Sequence, residues 1–426
     1  MHSSIRRRFL LAPVSLLMLA ALLVLLSGCA AQPQATPTPT KTPRLEAAST
    51  APAPQAPAAP MADTPAPTPA PSATPTPLAP QAPATPEAPA PQTPATPEPT
   101  QPPTPDPNLI VPANDPGLSP FTGLRPADPA VLARRPLAIK VANQASVHPQ
   151  SGLSQADVVV ESRVEYSETR FTVIYQSQSV ERVGSIRSAR LIDVELPTIF
   201  DAVLCFSGGV QPVRQMLQNS DFGDHILEQA VNGPAFFRDP TIKAPDNLFA
   251  DTATLWNTIT QRGWNKPPEP SAAWAFSEAA PAGGAPASQA DFPYPRFRVR
   301  WTYDAASGRW LRFMGGQPHI EKADGQQLTA ANVVILGANH VITLIVEDGT
   351  ERRGNPCINC SIEIQLWGEG PLKILRDGKV YEGKWLRPER HAPFRFVDAA
   401  GVDIPLKPGN SWWQVVPLDM QVTVNP

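Results

Sequence analysis

The sequence predicts an α/β module with a mixed or partly parallel sheet, then a mainly antiparallel β module, both behind a disordered proline-rich stalk. Three observations predict this. Of 55 prolines, 26 fall within residues 32–107; proline removes backbone donors and favours turns, edges and extended segments, so that stretch is no part of a packed core. Residues 116–265 alternate short apolar runs with stretches of three- and four-residue apolar spacing, the pattern of strands interleaved with helices. Residues 293–420 carry period-two alternation broken by turn signals, and read as hairpins.

The chain opens with Arg6, Arg7 and Arg8, an apolar run over residues 9–26, and then Ser27-Gly28-Cys29. The run is nearly long enough to span a bilayer, so its end decides between a leader and a permanent anchor. Leu26-Ser27-Gly28-Cys29 resembles the lipobox of bacterial lipoproteins. Small residues suit a narrow protease groove, and the Cys29 thiolate is the group that lipid alkylates. Residues 1–28 are therefore expected to be a lipoprotein signal peptide, with lipid on Cys29 as the membrane tether and the protein outside the cytosol. The alternative is an N-terminal membrane helix with an incidental cysteine. Loss of the leader takes the formal charge from −3 to −6. A mildly acidic chain has no global electrostatic drive towards nucleic acid, and no such partner is expected.

Residues 29–115 are rich in Ala, Pro and Thr and poor in large apolar side chains, so burial cannot offset chain entropy. They read as a disordered linker, with a reach on the order of 200 Å if extended. A ligand for a proline-recognising domain and a glycosylated stalk are the alternatives.

In the first module, residues 116–265, the apolar runs Leu137–Ala142, 158–160, 171–176 and 202–206 read as buried strands. Ala189, Ile192, Leu196 and Ile199, then Val213, Met216 and Leu217, and finally residues 251–262 with Leu255 and Ile259, have helical spacing. Arg187-Ser188-Ala189-Arg190 opens a helical pattern after an extended stretch. Backbone N–H groups, a hydroxyl and two guanidinium groups there suit a phosphate or carboxylate. The structural use of the same residues is a cap, with the arginines paired to Glu161, Glu165 or Asp193. Gly208 and Gly209 follow a predicted strand, where glycine permits either close approach of a ligand or a positive φ.

Ser119-Pro120-Phe121-Thr122-Gly123-Leu124, Pro149-Gln150-Ser151-Gly152-Leu153-Ser154-Gln155-Ala156-Asp157, Thr169-Arg170-Phe171, Arg187-Ser188-Ala189-Arg190, Gly208-Gly209 and Phe237-Arg238-Asp239 follow one another along this module. Together they resemble the YerB-type lipoproteins, a family with a two-part domain of unknown function, over residues 118–418. The resemblance implies the architecture and adds Arg170 to the candidate residues; it implies no settled activity. Members of that family often carry a histidine just before the Gly-Gly turn and another in a Pro-His-Asn motif. This chain has Phe206 and Asp246 instead, which weakens any histidine-based chemistry.

Residues 266–292 are expected as a linker. In the second module, residues 293–420, Arg296-Phe297-Arg298-Val299-Arg300-Trp301 puts three arginines on one face and three apolar residues on the other. Asp348-Gly349, Asp377-Gly378 and Ala400-Gly401 read as turns. Trp310, Trp367, Trp385, Trp412 and Trp413 read mainly as core, with Trp412-Trp413 as an exposed sugar-stacking pair in the alternative. Leu328-Thr329-Ala330-Ala331-Asn332 and Leu406-Lys407-Pro408-Gly409-Asn410-Ser411-Trp412 resemble the second module of the same family.

Cys357-Ile358-Asn359-Cys360 has redox-motif spacing but lies between β runs, so a local disulfide is expected, with a free or metal-bound pair as the alternative. Cys205 reads as a buried thiol. There is no HExxH, P-loop, GxGxxG after a strand or GxSxG, and neither cofactor nor metal is expected. The leading expectation is an accessory module binding an anionic envelope component through Arg187, Ser188, Arg190, Arg170, Gly208 and Gly209. A hydrolase or transferase using Glu161 or Glu165 is the alternative, and a structural adaptor the second. No residue pattern specifies an oligomeric state.

Overall fold

The computed structural model describes residues 109–269 and 274–426; Cys29, the leader and the proline-rich segment lie outside them. Ten strands form the path of the main sheet. In chain order they are β1 Leu137–Ala142, β2 Val158–Arg163, β3 Thr169–Tyr175, β4 Val203–Phe206, β5 Ile226–Glu228, β6 Asn332–Val346, β7 Gly368–Arg376, β8 Lys379–Arg387, β9 Arg395–Val397 and β10 Ser411–Pro417. Their order is β9-β8-β7-β6-β10-β2-β3-β1-β4-β5, with Cys360–Gln365 added to β6 and Ala285–Pro286 to β8. Strands from both sequence segments thus share one sheet. The junction is β10, which runs parallel to β6 on one side and to β2 on the other.

That position explains the sequence of β10, Ser-Trp-Trp-Gln-Val-Val-Pro, in which every residue is buried. A strand with neighbours on both edges and layers on both faces reads as a near-continuous apolar run, and its buried polar residues are paired, Gln414 with Glu161 (3.0 Å) and Ser411 with Asn332 (3.3 Å). Its alternation sends the two tryptophans opposite ways. Trp412 packs on Phe171 and Trp301 (both 5.3 Å), and Trp413 on Trp274 (5.2 Å) and Phe200 (5.3 Å). Trp412-Trp413 is therefore core on both faces and offers no sugar-stacking surface, whereas Trp367 is 44% exposed.

On the Trp412 face lies a six-stranded sheet that includes Gln289–Pro293, Arg298–Asp304, Arg309–Met314 and Thr423–Asn425. Val299 and Trp301 point inward while Arg298 and Arg300 are exposed, as the alternation requires. The helices are α1 Leu196–Phe200, α2 Gln211–Gln218 and α3 Thr252–Gln261. Asp251 caps α3 by accepting from the N–H groups of Ala253 and Thr254, and Leu255 and Ile259 are buried. In α2, Val213 and Leu217 face the core, but Met216 is exposed. The Asp377-Gly378 turn joins β7 to β8 with both residues at positive φ (51° and 68°), the two-residue geometry that matches strand twist.

Of residues 266–292, expected as a linker, the described stretch 274–292 is built into the fold. Trp274 and Phe276 are core residues, and Gln289–Pro293 is hydrogen-bonded on both edges. Small residues around them disguised these anchors. Among the described residues no helix is long and apolar enough to cross a membrane.

Candidate functional site

The sequence-predicted residues divide into two buried networks and an open end of the sheet. Glu161 lies on the inward face of β2 and is fully buried. Its Oε1 accepts from Thr169 Oγ1 (2.8 Å) and Asn143 Nδ2 (3.2 Å), and its Oε2 from an Arg312 guanidinium nitrogen (2.9 Å) and Gln414 Nε2 (3.0 Å). Four donors and no access to solvent leave Glu161 no route to a substrate. Arg312, also fully buried, lies over the Trp412 ring at 4.6 Å and donates from Nε to His319 Nδ1 (2.9 Å). That bond fixes the His319 tautomer, so its Nε2–H donates to Gln150 Oε1 (2.8 Å). Burial, together with Arg312 and His148, holds His319 well below the usual histidine range. Burial and Arg312 bring His148 down to about 4.

The second network surrounds Glu165, in the turn between β2 and β3. Arg190 forks onto its carboxylate, with Nε donating to Oε2 (2.6 Å), and Arg170 lies 3.5 Å away. Burial opposes ionisation of Glu165, but the hydrogen bonds and charge of Arg190, with Arg170, bring it down to about 2. The Arg190 N–H donates to Asp193 Oδ2 (2.7 Å). Arg190 is thus a structural ion-pair residue. Its other carboxylate neighbour, Glu347, lies 3.3 Å away and is raised by burial.

The remaining candidates stand at the C-terminal ends of β1 and β4. Ser207 N–H bonds to the Arg187 carbonyl (3.0 Å), and Ala189 N–H to the Gly208 carbonyl (3.1 Å). Gly208 and Gly209 have φ of 76° and 157°. A Cβ on Gly208 would meet only Ser188 Oγ, at 3.8 Å, so the turn is open on that side. Arg187 pairs with Asp246, which also accepts from Gln144 Nε2 (3.2 Å) and Ser146 Oγ (2.7 Å). Arg187 Nε is buried without a partner. Arg170 donates to the Ser188 carbonyl (2.7 Å).

Two clefts open here. One, of about 330 Å³, is lined by Gln144, Glu165, Glu168, Arg170 and Arg296 among others. The other, of about 150 Å³, includes Ser146, His148, Arg182, Ser185, Asp246 and Lys322. Arg170 is brought down to about 9 by burial and by Arg190 and Arg187, with Glu165 opposing. Cys357 and Cys360 form a disulfide, and Cys205 is a free buried thiol that burial pushes up.

Sequence spacing does not mark Arg312, His319, Gln150, Asp246 or Ser185 as site residues. Arg312 had a signal: it occupies an inward slot between Trp310 and Met314, where a charge requires a buried partner.

The fold and these networks define a two-segment α/β protein whose halves are joined by one mixed sheet. Residues 121–265 match the N-terminal domain and residues 290–413 the C-terminal domain of the Protein of unknown function (DUF3048) family. The chain is 30% identical over 303 residues to a Bacillus subtilis (strain 168) protein named Putative lipoprotein YerB, covering 70% of this chain and 86% of that one. The crystal structure of the Bacillus subtilis YerB protein superposes with a TM-score of 0.59 at 26% identity, over 72% of this chain and 99% of that one. The chain belongs to this YerB-like family.

Proposed function

We propose that the protein is exported, tethered by lipid on Cys29, and binds an anionic cell-envelope component in the 330 Å³ cleft at the strand ends. Leu26-Ser27-Gly28-Cys29 and the lipoprotein name of the Bacillus relative support the tether. The observation that carries the binding reading is Arg170. It lines that cleft, and its guanidinium is brought down to about 9, chiefly by burial and then by the charges of Arg190 and Arg187, with Glu165 and Glu347 opposing. An anion in the cleft gives this buried guanidinium a charge-assisted acceptor. Arg296, also on the cleft wall and exposed, lies 3.4 Å from Glu168 and is the second cation there. Pull-down of isolated anionic wall polymers by the full chain tests this. Capture is expected to fall about tenfold in Arg170→Ala and severalfold in Arg296→Ala, equivalent to about 1 kcal/mol or more. Equal capture by both variants and wild type overturns it.

A second reading, a carboxylate-dependent hydrolase or transferase, draws on one observation. Glu165 and Glu168 line the same cleft, one held near 2 and the other raised by burial, as an acid–base pair requires. Turnover of a glycan or phosphodiester panel that disappears in Glu168→Gln supports it; no turnover across the panel removes it.

A further inference from the structure

The 150 Å³ cleft is a different place from the one lined by Arg170, and it carries its own evidence. Ser185 is 2% exposed and lines this cleft, yet its Oγ has no hydrogen-bond partner in the protein. Its backbone carbonyl accepts from Ala142 N–H (2.9 Å), which holds the backbone of Ser185 against β1. Buried hydroxyls find partners, and one held without any on a cleft wall calls for a ligand.

The charges around it narrow the chemistry. Asp246 is already saturated by Arg187, Gln144 and Ser146, so it does not demand a cation from the cleft. Arg182 is fixed against the Phe249 ring at 3.6 Å and paired with Asp239 at 2.7 Å. Lys322 lines the cleft, is exposed, and makes no salt bridge among the described residues. The uncompensated charge on the wall is therefore positive. The volume is that of about five water molecules, enough for a phosphate or short carboxylate group and too little for a sugar chain.

We propose that this cleft binds a compact oxyanion, with Ser185 Oγ donating a hydrogen bond and Lys322 supplying the unpaired positive charge. The ligand is a free anion or the terminal group of a larger molecule. The site does not depend on the polymer-binding reading, whose arginines line the other cleft.

Phosphate, acetate and glycerol phosphate, titrated into the full chain, provide the test, with binding read by calorimetry and by the rise in melting temperature. At least one is expected to bind saturably at millimolar concentration. Lys322→Gln, a change at an exposed side chain, and Ser185→Ala, which removes an unpartnered hydroxyl, are each expected to weaken binding about tenfold without lowering the melting temperature of the unliganded protein. Arg170→Ala is expected to leave this binding unchanged, which separates failure here from failure of the polymer reading. Glycerol phosphate binding as tightly as phosphate identifies a terminal phosphate group; phosphate or acetate binding alone identifies a free anion. Absence of saturable binding by all three, or affinity unaltered in both Lys322→Gln and Ser185→Ala, overturns the proposal.

Discussion

Glu161 and Arg312 are fully buried and 2.9 Å apart, so the cost of removing either is set by the charge left behind. Glu161→Ala and Arg312→Met are each expected to destabilise the fold by about 3–5 kcal/mol, while Glu161→Met with Arg312→Met loses less than the two singles together. Urea denaturation measures this, and singles within about 1 kcal/mol of wild type contradict it. The same network makes stability depend on pH. His148 titrates near 4 in the folded protein, below the usual ~6.5 of the unfolded chain. The unfolded state then binds more protons between those values, so stability falls as pH drops from ~6.5 to ~4, by up to roughly 3 kcal/mol for this group. His319 is shifted in the same direction. Glu165 adds a second loss at lower pH, between its ordinary ~4.5 and about 2. A urea midpoint that stays flat from pH 7 to 4 contradicts this account. At this scale the sequence was half legible. Of the partners expected for Arg187 and Arg190, Glu165 takes Arg190, Asp193 accepts only the Arg190 backbone N–H and pairs with Lys140, and Glu161 pairs with neither. The partner of Glu161 stands 151 residues away on another sheet, and no local spacing points to it.

At the scale of elements, alternation and turn chemistry identified β1 to β4 and the Asp377-Gly378 hairpin, because both are short-range properties of the chain. They do not identify which strands lie side by side: period two sets the face of a residue and is silent about its neighbour. The disulfide shows how an element can steady a neighbouring one. Tyr166, in the turn that carries Glu165, donates its N–H to the Ile358 carbonyl (2.6 Å) and its hydroxyl to Asp348, so the loop closed by Cys357–Cys360 holds the turn from outside. A loop this short contributes about 2 kcal/mol through the unfolded chain. Cys357→Ser is expected to lower stability by about that amount and to increase amide exchange at Tyr166. Exchange at Tyr166 unchanged from wild type rules out the coupling.

At the scale of the whole molecule, β10 decides what can fold alone. The family match divides the chain at about residues 265 and 290, but the strand that completes the first segment comes from the end of the second. Without residues 411–417, β2 loses its parallel neighbour and keeps an apolar, unpaired edge, an invitation to aggregate. Phe171 and Phe200 lose the tryptophans that cover them from either face. Ion pairs cross the same boundary: Arg387 to Glu195 at 2.6 Å, and Arg390 to Asp221 at 2.9 Å. A fragment of residues 116–265 is therefore expected to be insoluble or to lack a cooperative melt, although it covers a complete family domain. Co-expression with residues 274–426 is expected to restore a soluble complex with one unfolding transition, because the break falls outside the shared sheet. A cooperative melt from the first fragment alone contradicts this, since it shows the halves to be joined by their loops and not by the sheet.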